Sequence, residues 1–286
     1  MKNNKRKVDI LVLSDIHLGT YGCRAKELLR YLRSIKPKTV VLNGDIIDIW
    51  QFSKRYWPKS HMKVVRLLMS WIGKGKKVYY IPGNHDEMLR RFAGFKMSSF
   101  SIVNKLVLDL QENKKAWIFH GDVFDVTMQH SKWLAKLGAI GYDTLILINS
   151  MANFISEKVF KKGKLSLSKK IKNSVKTAVK FINNFEQTSA GIGIMNHYDY
   201  VVCGHIHHPE MRLVLNDHGS IVYLNSGDWI ENLSALEYTD GTWRIYRFAE
   251  DEAMKNPVPD GEEEEAEPSN TELFDNLVQE FNLLKT

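Results

Sequence analysis

Five short motifs along the chain collect side chains that bind divalent metals: Asp15-Ile16-His17, Gly44-Asp45, Gly83-Asn84-His85-Asp86, His120-Gly121 and Gly204-His205-Ile206-His207. Imidazole nitrogens mixed with carboxylate and amide oxygens suit manganese, iron, nickel or zinc. Asp15, His17, Asp45, Asn84, His120, His205 and His207 make seven candidate ligands. Seven is too many for one tetrahedral ion and fits two ions that share one carboxylate. Singly, each motif has a plainer reading. Asp-x-His is common, Gly-Asp is a frequent turn, and Asn84 or Asp86 could cap a helix. His120-Gly121 is uninformative alone, and only Gly-His-x-His suggests metal by itself. Their joint occurrence, in this order, favours a metal centre. The glycines let the backbone turn sharply, so that the following side chain points into a site.

The elements that must position these residues alternate strand and helix. Val8–Leu13, Thr39–Leu42 and Lys77–Ile81 read as buried strands, separated by helical spacing over Ala25–Ser34 and His61–Ile72. This order predicts an α/β fold with a parallel or mixed sheet and helices on its faces. Such sheets hold ligands beyond the carboxyl ends of their strands, where four of the five motifs fall. Further strands are expected at Leu106–Leu110, Trp117–Phe119, Tyr200–Cys203, Met211–Leu215, Ile221–Asn225, Ser234–Tyr238 and Thr242–Phe248. The last two should form an antiparallel hairpin through Asp240-Gly241.

Residues 125–195 break the alternation and read as a helical insertion in a domain spanning residues 1–250. The insertion is first apolar (Trp133, Leu137, Ile140, Phe154, Ile155) and then basic (Lys161, Lys162, Lys169, among others). Residues 251–268 read as an acidic, disordered linker, and residues 269–286 as an amphipathic helix opened by the capping box Ser269-Asn270-Thr271-Glu272. Residues 251–286 hold eleven acidic and two basic residues, a net of −9. The net charge of +7 therefore leaves +16 on residues 1–250. A body this basic should attract a polyanion: nucleic acid, an anionic membrane face or a phosphorylated substrate. Two cysteines exclude a disulfide framework and fit a reducing compartment. No apolar run approaches the roughly eighteen residues of a membrane span, and no secretory signal is read at the start. The expected location is cytoplasmic, peripheral on the cytoplasmic membrane face.

Taken together the motifs resemble those of the calcineurin-like metallophosphoesterases. That family's pattern is Asp-x-His, Gly-Asp-x-x-Asp, Gly-Asn-His-Asp/Glu, a later His and Gly-His-x-His. The resemblance covers roughly residues 8–248 apart from the insertion. It implies a two-layered β-sandwich flanked by helices, with a helical lid inserted. It also implies a centre of two divalent ions, Mn2+ first with Fe or Zn as alternatives, and hydrolysis of phosphate esters or anhydrides by a hydroxide bridging the ions. By the resemblance, Asp15, His17 and His207 hold one ion, Asn84, His120 and His205 the other, and Asp45 bridges both. His85 is not a ligand; it serves the leaving group, oriented by Asp48. The plainer reading of Asp48 is a helix-start carboxylate.

One branch resembles this chain most: the UDP-2,3-diacylglucosamine pyrophosphatases of lipid A biosynthesis. The resemblance rests on Ser14-Asp15-Ile16-His17-Leu18-Gly19, on Gly44 to Trp50, and on an insertion after Phe119-His120-Gly121-Asp122. It implies cleavage of a lipid-linked pyrophosphate to UMP and a lipid monosaccharide phosphate. His85 stands where the best-known members carry Arg. A nuclease, a cyclic-nucleotide phosphodiesterase or a protein phosphatase would use the same metals. The greasy insertion speaks against nucleic acid as the partner, although Trp50, Phe52, Tyr56 and Trp57 could stack on bases. A metal-binding scaffold without catalysis is a further alternative, disfavoured by the full ligand set. Oligomeric state is not readable.

Overall fold

The computed structural model describes residues 5–50, 56–124 and 182–255. The chain divides into two units, Met1–Glu250 and Asp251–Thr286. The first is built on two sheets. In the seven-stranded sheet the order is β12-β11-β1-β2-β3-β5-β4, and in the five-stranded sheet it is β6-β7-β8-β10-β9. The strands are β1 Arg6–Leu13, β2 Ile35–Asn43, β3 Lys77–Ile81, β4 Lys96–Met97, β5 Phe100–Ile102, β6 Leu106–Asp109, β7 Lys115–Ile118, β8 Tyr200–Cys203, β9 Glu210–Asn216, β10 Gly219–Asn225, β11 Ser234–Thr239 and β12 Thr242–Arg247.

Alternation along the strands decides the layers. In β1, Ile10 and Val12 face the second sheet and join Val41, Ile81, Ile118, Val202 and Leu224 in an inner core. Val8, Leu11 and Leu13 share the outer-face core with helices α1 (Ala25–Ser34) and α2 (Lys59–Gly73). In α1 the buried residues Ala25, Leu28, Leu29, Tyr31 and Leu32 follow helical spacing, so one stripe is apolar. A third cluster covers the outer face of the five-stranded sheet, where Phe185, Ala190 and Ile194 of helix α3, residues 182–195, meet Val201, Val214 and Tyr223. The result is a β-sandwich with helices on both outer faces, as expected.

β1, β2, β3 and β5 run parallel, as do β7, β8 and β10. Their carboxyl ends therefore gather along one rim. β11 and β12 pair antiparallel through Asp240-Gly241, with φ of 50° and 81° at the two turn residues, the left-handed pair such a tight hairpin requires.

Three points differ from the sequence reading. β4 and β5 were not expected; strands of two and three residues are too short to show a period. β2 begins at Ile35, four residues earlier than its β-branched run, because Arg6, Lys7 and Val8 of β1 pair with Ile35, Lys36 and Pro37. The expected acidic linker opens with a helical turn, α4 (Glu252–Lys255), where the Asp251 carboxylate accepts the Ala253 amide at 3.0 Å. Most of the insertion (residues 125–181), the remainder of the linker and the 269–286 helix lie outside the described residues. No described helix is long and apolar enough to cross a membrane.

Candidate metal centre

The loop after β1 carries Asp15 and His17, and the loop after β2 carries Asp45 and Asp48. They continue pairing past the strands: Asp15 N–H donates to Gly44 O (3.0 Å), His17 N–H to Asp45 O (2.9 Å) and Asp48 N–H to Leu18 O (2.9 Å). Asn84 and His85 follow β3. His120 follows β7, and His205 and His207 follow β8. Five of the seven candidate ligands sit in the left-handed backbone region: Asp15 (φ 51°), His17 (54°), Asp45 (53°), His205 (68°) and His207 (51°). Each costs an L-residue roughly 1–2 kcal/mol. Such strain persists where packing over-determines it, which is typical of functional sites. Nothing in the residue types announces it.

Two clusters consist of candidate ligands alone: ligand atoms of Asp15, His17 and His207 lie within 4.8 Å of one another, and so do those of Asp45, His120 and His205; His17, Asp48 and His85 form a third such group. Asp45 stands between the first two, with Oδ2 3.2 Å from His120 Nε2 and 4.0 Å from His17 Nε2. Asp15 Oδ1 is 3.1 Å from His207 Nε2. Asp15, His17, Asp45 and His120 are buried. Among the described residues two buried atoms of candidate ligands, His17 Nε2 and Asn84 Oδ1, have no hydrogen-bond partner. Orphaned polar atoms are expensive unless something else satisfies them, and a divalent cation does so. The donor set fits divalent metal. The approach is also close: a Cβ on Gly83 would fall 2.6 Å from His120 Nε2.

Burial would raise the carboxyl pKa of Asp15 and Asp45, but His207 and His120 outweigh it and hold both below the usual range. Burial likewise opposes charge on His207, yet the Asp15 carboxylate raises it to about 9. Each carboxylate is thus favoured in its charged form by the imidazole beside it.

Asp48 is buried. Its Oδ2 lies 2.8 Å from His85 Nδ1 and 3.3 Å from His17 Nδ1. One carboxylate thus faces the Nδ1 of both rings. No helix starts at Asp48 among the described residues. The His85 amide donates to Asp45 Oδ1 (2.8 Å). Trp50, 71% exposed, donates its indole N–H to Asn84 O at 3.1 Å. Tyr56 packs on Tyr21 (3.8 Å between rings) and Trp57 on His61, away from a stacking role. Phe52 and the insertion residues Trp133, Leu137, Ile140, Phe154, Ile155, Lys161, Lys162 and Lys169 lie outside the described residues.

Two residues that the sequence reading did not count as supports of the ligands serve as such. Asn43 accepts from His120 Nδ1 at its carbonyl (2.7 Å) while its side-chain amide donates to Phe119 O (3.1 Å). Asp86 precedes a 3-10 turn, Glu87–Phe92, but makes no cap. Its carboxylate instead accepts from Ile46 N (2.9 Å), Gly83 N (2.6 Å) and Tyr80 Oη (2.5 Å), tying two ligand loops together. A polar residue just after a strand was the only signal for Asn43.

Against known proteins, the calcineurin-like phosphoesterase family pattern matches residues 8–209. A UDP-2,3-diacylglucosamine hydrolase of Aliivibrio fischeri (strain MJ11) is 22% identical over 251 residues, covering 83% of this chain and 98% of that protein. Another of that name, from Blochmanniella pennsylvanica (strain BPEN), is 22% identical over 219 residues, with 72% and 82% covered. Among solved structures, the phosphoesterase YfcE of E. coli is 14% identical with a TM-score of 0.40, over 84% of this chain and 92% of that one. With more than half its length matched by the family pattern, and the family's motifs meeting at one rim, the chain belongs to the calcineurin-like phosphoesterases and is a hydrolase acting on phosphoester bonds.

Proposed function

We propose that this phosphoesterase cleaves the pyrophosphate linkage of UDP-2,3-diacylglucosamine, giving UMP and a lipid monosaccharide phosphate. The observation that carries the chemistry is the gathering of two ligand clusters, Asp15, His17 and His207 and then Asp45, His120 and His205, each with its ligand atoms within 4.8 Å of one another. The substrate is supported by two relatives of that name, aligned over 72% and 83% of the chain.

Asp15, His17 and His207 would hold one ion, Asn84, His120 and His205 the second, and Asp45 both. Bound there, two divalent ions, Mn2+ first, would activate water and neutralise charge on the phosphoryl oxygens. His85, fixed at Nδ1 by Asp48, holds Nε2 toward the leaving group as proton donor. Asp48 also fixes the His17 ring. The apolar residues of the 125–195 insertion would receive acyl chains and its lysines an anionic headgroup layer. The enzyme would then work peripherally at the cytoplasmic membrane face.

The test is a hydrolysis panel after loading with Mn2+, Fe2+ or Zn2+. It compares UDP-2,3-diacylglucosamine, bis-p-nitrophenyl phosphate, cyclic nucleotides and simple monoesters. Release of UMP from the acylated substrate is expected. Cleavage of soluble diesters with none of the acylated substrate would overturn the substrate. A second reading, a phosphodiesterase for another nucleotide, is favoured by the exposed Trp50 ring beside Asn84, which offers a base a stacking face.

A further inference from the structure

The loop between β10 and β11, residues 226–233, bonds to the backbone of two candidate ligands in the same cluster. Trp229 N–H donates to Asp15 O (3.0 Å), and the Asn232 side-chain amide donates to His207 O (2.9 Å). The loop is itself braced. Asp228, fully buried, accepts at Oδ1 from the amides of Ile230 (2.8 Å), Glu231 (2.6 Å) and Asn232 (3.3 Å). Its Oδ2 accepts from Asn232 Nδ2 (2.5 Å). Ser14, next to Asp15, donates to Gly227 O at 2.9 Å. The other cluster has different support: His120 rests on Asn43 O, through a ring nitrogen.

Both carbonyls held by the loop belong to left-handed residues, Asp15 and His207, each with φ of 51°. A carbonyl fixed by a donor fixes its peptide plane, and so holds the residue in a conformation it would otherwise leave. Released, His207 can rotate back toward a right-handed or extended backbone, and its imidazole moves with it. Asp15 is held more firmly, by a main-chain donor that no side-chain substitution removes. Asn232 is therefore the replaceable part of the clamp.

We propose that Asn232, braced by Asp228, is a positioning residue for the ion held by Asp15, His17 and His207, and that it does not act on the ion held by Asn84, His120 and His205. The inference rests on the two-ion reading above and adds to it that the Asn232 contact serves one position alone, although His17 N–H to Asp45 O (2.9 Å) and His205 N–H to Asp15 Oδ2 (3.0 Å) join the two clusters elsewhere.

The experiment measures Mn2+ binding to the full chain after chelator treatment, with free Mn2+ followed by EPR. Wild type should bind two ions. In a His120→Ala background, which leaves the Asp15 position, adding Asn232→Ala should weaken Mn2+ binding about 10–100-fold, the range for a lost outer partner. In a His17→Ala background, which leaves the other position, the same change should alter binding less than twofold. Asn232→Asp, similar in size but without the donor, should behave like Asn232→Ala. It keeps the test open if the smaller side chain unsettles the loop. Equal weakening in both backgrounds would make the residue a general fold support and overturn the proposal. So would unchanged binding in the His120→Ala background. Wild type binding fewer than two ions would instead sink the two-ion reading, a separate and recognisable failure.

Discussion

In the proposed assignment His85 is not a ligand: one ring nitrogen faces Asp48 at 2.8 Å, its amide donates to Asp45, and Nε2 is the atom proposed to meet the substrate. His85→Ala should therefore lower kcat by about 10²–10⁴, the usual cost of a lost acid or base, with bound metal unchanged. The loss should shrink for p-nitrophenyl leaving groups, which depart without a proton; an equal loss on both substrates counts against the donor role. Asp48→Asn should differ in kind. Its carboxylate touches His17 as well as His85, so the amide should lower kcat and also raise the Mn2+ concentration needed for half-maximal rate. The residue types of this candidate site were legible in the sequence because metal chemistry restricts which side chains could serve. Their backbone was not: Asp15, His17, Asp45, His205 and His207 are left-handed because neighbouring loops force them to be, and those neighbours are distant in sequence.

At the level of elements, the strands that carry ligands were readable and the contacts that aim their loops were not. β1, β2 and β3 each hold a short apolar run, residues 10–13, 40–42 and 78–81, that stops at Ser14, Asn43 or Pro82, a pattern with a local cause. α2 was also readable, but its first turn has a second task. Gly19 N–H, two residues past His17, donates to His61 Nδ1 at 3.0 Å. A ring that accepts there must be unprotonated at that nitrogen, and burial lowers its pKa from 6.5 to about 4. The sign follows from proton counting. Between pH 6.5 and 4 the unfolded chain binds a proton that the folded one refuses, so stability is present above 6.5 and lost as pH falls toward 4. The loss should be on the order of 1–3 kcal/mol. His61→Asn can accept from Gly19 without titrating. Urea midpoints of ion-free protein should fall less steeply over this window in the variant than in wild type; parallel curves would remove His61 from the account.

Across the whole molecule, the two sheets contribute jointly: Asp15, His17, Asp45 and Asn84 leave the seven-stranded sheet, and His120, His205 and His207 leave the five-stranded one. A candidate centre built this way cannot be read from either half alone, and its candidate ligands span most of the matched length. Charge is the other property of the whole chain, and it is opposed between the two units. Residues 1–250 carry +16 and residues 251–286 carry −9, with Glu262, Glu263, Glu264 and Glu265 in one run. An acidic segment tethered to a basic body competes with any external polyanion, and salt screens both attractions over a Debye length of about 8 Å at 0.15 M. If the body's charge serves an anionic membrane face, changing those four glutamates to Gln in the full chain should strengthen binding to phosphatidylglycerol vesicles. The salt concentration that releases half the protein should rise as well. Replacing Lys161, Lys162, Lys169 and Lys170 with Glu should do the reverse while leaving hydrolysis of bis-p-nitrophenyl phosphate intact, because no candidate ligand is altered. Vesicle sedimentation across a NaCl series reads both effects. Binding that ignores salt, or that is the same in all three proteins, would mean that the charge of residues 1–250 is not what meets the membrane.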